Sequence, residues 1–144
     1  MIEEKTNRKI NWFWEPIGGV GKTTLCRWLV AKKDALYISG KATDCKYAVV
    51  AYHEQKKKFP KIVLWNIPRT HKDHISYDAV ESIEDGLFFS GKYECSTVLM
   101  NYPHVFIFAN FTPNGWELSD RKWNIVKIEM APEDQRNDNN MLDA

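Results

Sequence analysis

A glycine-rich segment near the amino end of the chain has the residue types that hold nucleotide phosphates. Residues 18–24 read Gly-Gly-Val-Gly-Lys-Thr-Thr and lie between an apolar run and a stretch of helical periodicity. Glycines let backbone N–H groups turn inward around an anion, the lysine reaches the β- and γ-phosphates, and the first threonine offers a hydroxyl to Mg²⁺. The segment therefore predicts a site for ATP and Mg²⁺, although Pro16 replaces the first glycine of the full pattern. Its members are Gly18, Gly19, Val20, Gly21, Lys22, Thr23 and Thr24.

Two asparagines occur where phosphoryl-transfer enzymes need polar groups. Such enzymes use an acid near the metal and a group that orients the attacking water. Asn66 stands near the end of the β-branched run Lys61–Ile67, and Asn110 follows the run His104–Ala109. Asparagine has the shape of aspartate and accepts a hydrogen bond, but it lacks the charge. Asn66, with Thr23, is therefore predicted to face the metal with weakened hydrolysis, and Asn110 is predicted to sense the γ-phosphate.

Alternating strand-like and helix-like segments must position these residues. The pattern predicts an α/β fold with a mainly parallel sheet flanked by helices. The predicted strands are Lys9–Trp14, Ala35–Ser39, Lys61–Ile67, His104–Ala109 and Asn124–Glu129, and the predicted helices are Lys22–Lys33, Asp44–Gln55 and Ser76–Asp85. Ligands of parallel sheets bind at the carboxyl ends of the strands, so the glycine-rich segment, Asn66 and Asn110 are predicted to meet at one edge.

A hairpin is predicted between the third helix and the next sheet strand. Gly86 is the expected left-handed residue that ends the helix. The segments Leu87–Ser90 and Tyr93–Val98 are separated by Gly91 and Lys92, which favours a two-residue turn.

Composition fits one domain with no overall preference for nucleic acid. The 144 residues carry 20 Lys and Arg against 19 Asp and Glu, so any nucleic-acid contact must come from a local patch. The three cysteines, an odd number without a C-x-x-C pair, are typical of free thiols.

No apolar run approaches membrane-spanning length and no signal peptide is seen, so we expect an intracellular protein without membrane contact. We expect an extension at 1–9, one domain at 10–130 and a disordered polar tail at 131–144.

Several motifs occur in an order that resembles a known family. They are the segments 12–24, 67–70 (Ile-Pro-Arg-Thr), 75–86, 90–94 (Ser-Gly-Lys-Tyr-Glu) and 103–110. Together they resemble the helicase half of the replication initiator (Rep) proteins of small circular single-stranded DNA viruses, especially the nanovirus and alphasatellite branch. The resemblance covers about residues 10–128 and no nicking domain.

The resemblance implies a superfamily 3 helicase with an AAA+-like P-loop core, acting as a homo-oligomeric ring that unwinds DNA with ATP. Lys22 and Thr23 would be the phosphate and Mg²⁺ residues, Asn66 would occupy the Walker B acid position, and Asn110 would be the motif C sensor. The implied partner is single-stranded nucleic acid, with DNA favoured over RNA, and a viral Rep would act in the host nucleus.

The predicted hairpin falls where that family contacts DNA. Lys92 can contact a phosphate and Tyr93 can offer an aromatic face to a base, which suits sequence-independent binding of a single strand. Arg121 is a candidate arginine finger for a neighbouring subunit.

Two other functions stay open. Without an acid at Asn66, the chain could be a module that binds nucleotide or nucleic acid without hydrolysis. A small P-loop nucleotide kinase would need an arginine-rich lid, and near the glycine-rich segment the sequence offers Arg69.

Overall fold

A computed structural model describes residues 6–18, 21–92, 95–115 and 122–129. Within them the chain forms seven strands and three α-helices. In chain order these are β1 (Ile10–Trp14), α1 (Lys22–Lys33), β2 (Leu36–Ile38), α2 (Ala42–Lys56), β3 (Ile62–Ile67), α3 (Tyr77–Glu84), β4 (Leu87–Ser90), β5 (Ser96–Leu99), β6 (His104–Ala109) and β7 (Trp123–Lys127). A short 3-10 helix, Arg69–His71, follows β3.

Five strands form one parallel sheet in the order β2-β3-β6-β1-β7. The predicted parallel α/β fold is therefore confirmed. Helix α1 has the predicted bounds, and the other elements begin or end within three residues of their predicted limits. Strand β1 lies between β6 and β7, so the segment after β1 leaves from inside the sheet rather than from its edge.

The two faces of the sheet are covered differently. On one face, Cys26 and Leu29 of α1 pack with Ile62, Leu64 and Phe108. The opposite face carries the larger cluster, in which α2, α3 and the hairpin β4–β5 cover residues that include the fully buried Trp12. Helix α1 buries little else, since Leu25 and Trp28 are about half exposed. The site that α1 begins is therefore on the more thinly covered face.

Both ends of α3 are set by residues that favour helix termini. The Ser76 hydroxyl accepts a hydrogen bond from the Ala79 N–H (3.3 Å), which caps the first turn. Gly86, at φ 68°, ends the helix as predicted. A Cβ at Gly86 would collide with the carbonyl oxygen of Met100, so both the backbone angle and the close approach of the chain just after β5 require glycine.

The predicted two-residue turn of the hairpin is wrong. Ser90 pairs with Ser96, so five residues, 91–95, connect the strands, and β5 begins at Ser96 rather than Tyr93. The observed register pairs Phe88 with Val98, and both are buried in the core. A turn of only Gly91 and Lys92 would shift the register by an odd number of residues and turn Val98 to the outer face. Burial of Val98 therefore outweighs the local turn preference.

The predicted N-terminal extension and the polar tail at 131–144 fall largely or wholly outside the described residues, and so they stay predictions. Among the helices that are described, none combines the length and apolarity needed to cross a membrane.

Candidate nucleotide-binding site

Three polar residues lie at the carboxyl edge of adjacent strands. They are Glu15, directly after β1, Asn66 in β3, and Asn110, directly after β6. Side chains alternate along a strand, and each of the three is in phase with residues that pack on the α1 face: Phe13, Leu64 and Phe108. All three are thus directed to the side of the sheet where α1 begins.

Helix α1 begins without a side-chain cap. Gly21 precedes it at φ 89°, in the left-handed region. Nothing lies within 4 Å of a Cβ built on Gly21, so the backbone angle rather than crowding requires glycine. Thr23 and Thr24, in the first turn, are exposed. The first N–H groups of an uncapped helix, with the helix dipole, favour an anion at this end.

An anion is in fact present, and the chain supplies it. The carboxylate of Glu15 is 2% exposed and forms an ion pair with the Lys22 ammonium. Its second oxygen accepts hydrogen bonds from the N–H groups of Ile17 (2.8 Å) and Gly18 (2.5 Å). Asn110 donates its side-chain amide to the first oxygen at 2.9 Å. Four donors therefore converge on one buried carboxylate.

The pKa of Glu15 reflects these contacts. Burial would raise the pKa, but hydrogen bonds from the Lys22 side chain and from the Gly18 and Ile17 N–H groups, together with the lysine charge, outweigh it. The net effect holds the pKa below its usual range. Glu15 is therefore an anion at neutral pH, and its surroundings stabilise negative charge.

The structure brings Lys22 and Asn110 together, as predicted, with Glu15 between them. Asn110 also donates to the Glu15 carbonyl oxygen at 3.3 Å. Arg69 reaches the start of the glycine-rich segment, where it donates to the Pro16 carbonyl at 2.9 Å. Glu15 was missed because a charged residue between a strand and a glycine-rich segment resembles any loop residue. Its phase with Phe13 and its place seven residues before Lys22 were the available signals.

Asn66 lies one strand further from β1 than Asn110 does. It is partly buried and borders a small cavity that is also lined by Gly40, His71 and His74. In the parts of the chain that are described, no three His, Cys, Asp or Glu side chains are grouped to hold a metal ion. The side-chain oxygens of Thr23 and Asn66 are suitable ligands for Mg²⁺. Two ligands are too few to hold this ion alone, so phosphate oxygens of a substrate would have to supply others.

The predicted nucleic-acid residue Lys92 has partners within the chain. Its ammonium forms an ion pair with Asp44 of α2 and lies 5.9 Å from the centroid of the Tyr47 ring. The Lys92 hydrogen bond and charge lower the pKa of Asp44. A phosphate would therefore have to replace Asp44. The predicted site residues Gly19, Val20, Tyr93 and Arg121 lie outside the described residues.

The fold and this site define a parallel α/β protein with an anion-holding segment between an inner strand, β1, and helix α1. No protein-family model matches the chain. It is 34% identical over 121 residues to the master replication protein of milk vetch dwarf virus (isolate N), which spans 83% of this chain and 40% of that protein. It is 33% identical over 129 residues to the Para-Rep C9 protein of faba bean necrotic yellows C9 alphasatellite, covering 88% of this chain and 43% of the relative.

A solved structure supports the fold alone. The apo C-terminal region of NrS-1, in its A form, superposes with a TM-score of 0.53 at 17% identity and covers 83% of this chain and 29% of that one. The sequence relatives confirm the resemblance to Rep proteins of circular single-stranded DNA viruses: the chain is a homologue of nanovirus master replication proteins and alphasatellite Rep proteins. The chain spans about two fifths of the length of these relatives.

Proposed function

We propose that this chain is the ATP-binding helicase domain of a Rep-type replication protein, with a superfamily 3, AAA+-like P-loop core. The observation that carries the proposal is the convergence of two loop N–H groups, Lys22 and Asn110 on one anion at the carboxyl edge of the sheet. Donors arranged in this way around a carboxylate suit a phosphate group equally well. Homology to master replication proteins supports a role in replication, and with it an intracellular location, nuclear in an infected host.

Each residue then has a stated task. Lys22 and the N–H groups of the glycine-rich segment hold the β- and γ-phosphates. The Thr23 hydroxyl and the Asn66 amide oxygen would hold Mg²⁺, which when bound neutralises charge on the phosphate oxygens. Asn110 orients water toward the γ-phosphate. Arg121 serves a neighbouring subunit in a ring, and Lys92 with Tyr93 contacts single-stranded DNA.

Hydrolysis is the weak point of this machinery. Asn66 contributes no charge next to the metal, and two unit charges about 4 Å apart interact by roughly 4 kcal/mol at an effective dielectric near 20. Loss of that interaction slows hydrolysis far more than it weakens binding. The second candidate, a module that binds ATP without turning it over, rests on this one substitution.

Titration with a fluorescent ATP analogue, followed by ATPase assays with and without single-stranded DNA, tests the proposal. We expect Lys22→Ala to weaken binding, while Lys32→Ala, which removes the same charge from the last turn of α1, leaves it unchanged. If the chain is an ATP-hydrolysing helicase domain, Asn66→Asp should raise its rate of ATP hydrolysis. Binding that is indifferent to Lys22→Ala would overturn the proposal. Turnover that appears only in Asn66→Asp would favour the non-hydrolysing module.

A further inference from the structure

The Glu15 carboxylate uses the donors that the proposed function assigns to nucleotide phosphate. One oxygen takes the Ile17 and Gly18 N–H groups, and the other takes Lys22 and the Asn110 amide. A phosphate oxygen would need the same Lys22 ammonium and the same loop N–H groups. While Glu15 stays in place, those four donors are engaged.

We propose that Glu15 is an internal competitor for the phosphate site, and that ATP binds only when its phosphates displace this carboxylate. The inference rests on the proposed function, because it concerns the same site. A carboxylate and a triphosphate are both anions. If both contacted the Lys22 ammonium at once, they would lie close enough to repel each other strongly. The carboxylate therefore lowers the affinity for ATP by an amount that its removal reveals.

The surroundings allow Glu15 to leave without unfolding of the sheet. Its backbone is fixed, since its N–H donates to the Ala109 carbonyl (3.3 Å) and its carbonyl oxygen accepts from Asn110. The next two residues, Pro16 and Ile17, are exposed, and Ile17 is 90% exposed. The displacement that we propose is a rotation of the Glu15 side chain toward this exposed segment, with the backbone of Glu15 kept in the sheet.

Displacement would also act on the predicted sensor. The Asn110 amide, which Glu15 holds at 2.9 Å, would lose that acceptor and become available to the γ-phosphate and water. Occupancy of the loop by phosphate and release of Asn110 are then one event. Glu15 would accordingly occupy the Asn110 amide until phosphate displaces the carboxylate.

The test compares ATP binding by the wild type, Glu15→Gln and Lys22→Ala. Glutamine keeps the size of the side chain and removes its charge. We expect Glu15→Gln to lower the dissociation constant by at least about tenfold, equivalent to about 1.4 kcal/mol. Asp34→Asn is the matched control: Asp34 is also ion-paired with lysines, Lys56 and Lys58, but it follows the opposite end of α1. We expect no change in ATP affinity there.

A second variant and a second measurement keep the test valid if Glu15→Gln is less stable than the wild type. Glu15→Ala should also bind ATP more tightly than the wild type, and the rise in melting temperature caused by saturating ATP reports affinity even where the unliganded variant is less stable. Unchanged or weaker binding by both Glu15 variants, with Lys22→Ala still weaker than the wild type, overturns the competitor and leaves the proposed function intact. No binding by the wild type, Lys22→Ala and either Glu15 variant overturns both. Binding by Glu15→Gln but not by the wild type supports both.

Discussion

The two ends of β1 each hold a buried glutamate, and the two sites differ in what surrounds the carboxylate. At the amino end, Arg8 forms two hydrogen bonds to the fully buried Glu84, 2.9 and 3.2 Å long, and Lys122 lies 3.5 Å away. Arg8 and Lys122 also pair with the neighbouring Asp85, so two cations meet two carboxylates. Every partner is a long side chain from a different part of the chain, which ties α3 to the strands β1 and β7.

At the carboxyl end, Glu15 has one cation, and its remaining donors are backbone N–H groups and an amide. Backbone donors fit any anion of suitable size, whereas the two carboxylates at the amino end are matched in charge by two cations of the chain itself. The comparison indicates that the Glu84 cluster serves stability and that the Glu15 site can exchange its anion. Three predictions test this difference, and a fourth concerns the hairpin.

The largest expected effect is on stability at the amino end. Arg8→Ala leaves Glu84 buried without its main partner, and loss of one member of a buried pair costs about 3 kcal/mol. Urea unfolding measures the loss. Arg8→Lys, which keeps the charge without the bidentate contact, should lie between Arg8→Ala and the wild type. ATP affinity should not change in either variant, and a clear change would contradict the division of roles.

A smaller effect is expected at the carboxyl end. Asn110→Ala removes a hydrogen bond to a charged group and should lower the free energy of unfolding by about 1.5 kcal/mol. Unlike the Arg8 variants, it should also slow ATP hydrolysis. Asn101→Ala, at an exposed asparagine, is the control. If Asn110→Ala were as harmless as Asn101→Ala in both measurements, the sensor role would fail.

The contribution of the Glu15 charge to stability should depend on pH. Since the folded pKa lies below the unfolded value of about 4.3, ionised Glu15 contributes stability that is present above that value and is lost as the pH falls through the folded pKa. The wild type should thus be more stable than Glu15→Gln at pH 7, and the gap should narrow as the pH falls toward 3. Urea unfolding of both proteins across this range measures it. A constant gap would mean that shape rather than charge holds the loop.

The smallest expected effect on stability concerns Lys92. Its pair with Asp44 is partly exposed, with side-chain exposures of 38% and 46%, so Lys92→Ala should change the free energy of unfolding by less than about 0.5 kcal/mol. The same substitution should weaken binding of an oligothymidine, measured by fluorescence anisotropy, if the hairpin contacts DNA. Lys41→Ala, at an exposed lysine just before α2, serves as the charge control. Equal loss of binding in both variants would argue against a specific role of Lys92.

The parts of the fold that depend on local rules followed from the sequence. Helix α1 has its predicted bounds because Gly21 permits the left-handed turn that begins it, and α3 ends just before Gly86 for a related reason. The hairpin register depended instead on which residues reach the core, and burial of Val98 was not visible in the Gly91-Lys92 turn. For the site, the ends of strands predicted Lys22 and Asn110 as neighbours. Glu15 was harder to predict, since its contact with Asn110 forms only when β1 and β6 pair.

Trp12 is suited to serve as an intrinsic fluorescent probe of the site. Its ring is fully buried, and its indole N–H donates to the Phe111 carbonyl at 2.9 Å. The centroid of the ring lies 6.3 Å from that of Tyr77 and 6.2 Å from that of Trp123. Phe111 directly follows Asn110, and Trp12 is three residues before Glu15. A shift of Asn110 on anion exchange would move the neighbouring Phe111 carbonyl, to which this indole donates, and should thereby change the emission of Trp12. Its emission, isolated by subtracting the spectrum of Trp12→Phe from that of the wild type, would record occupancy of the loop in real time without an attached dye.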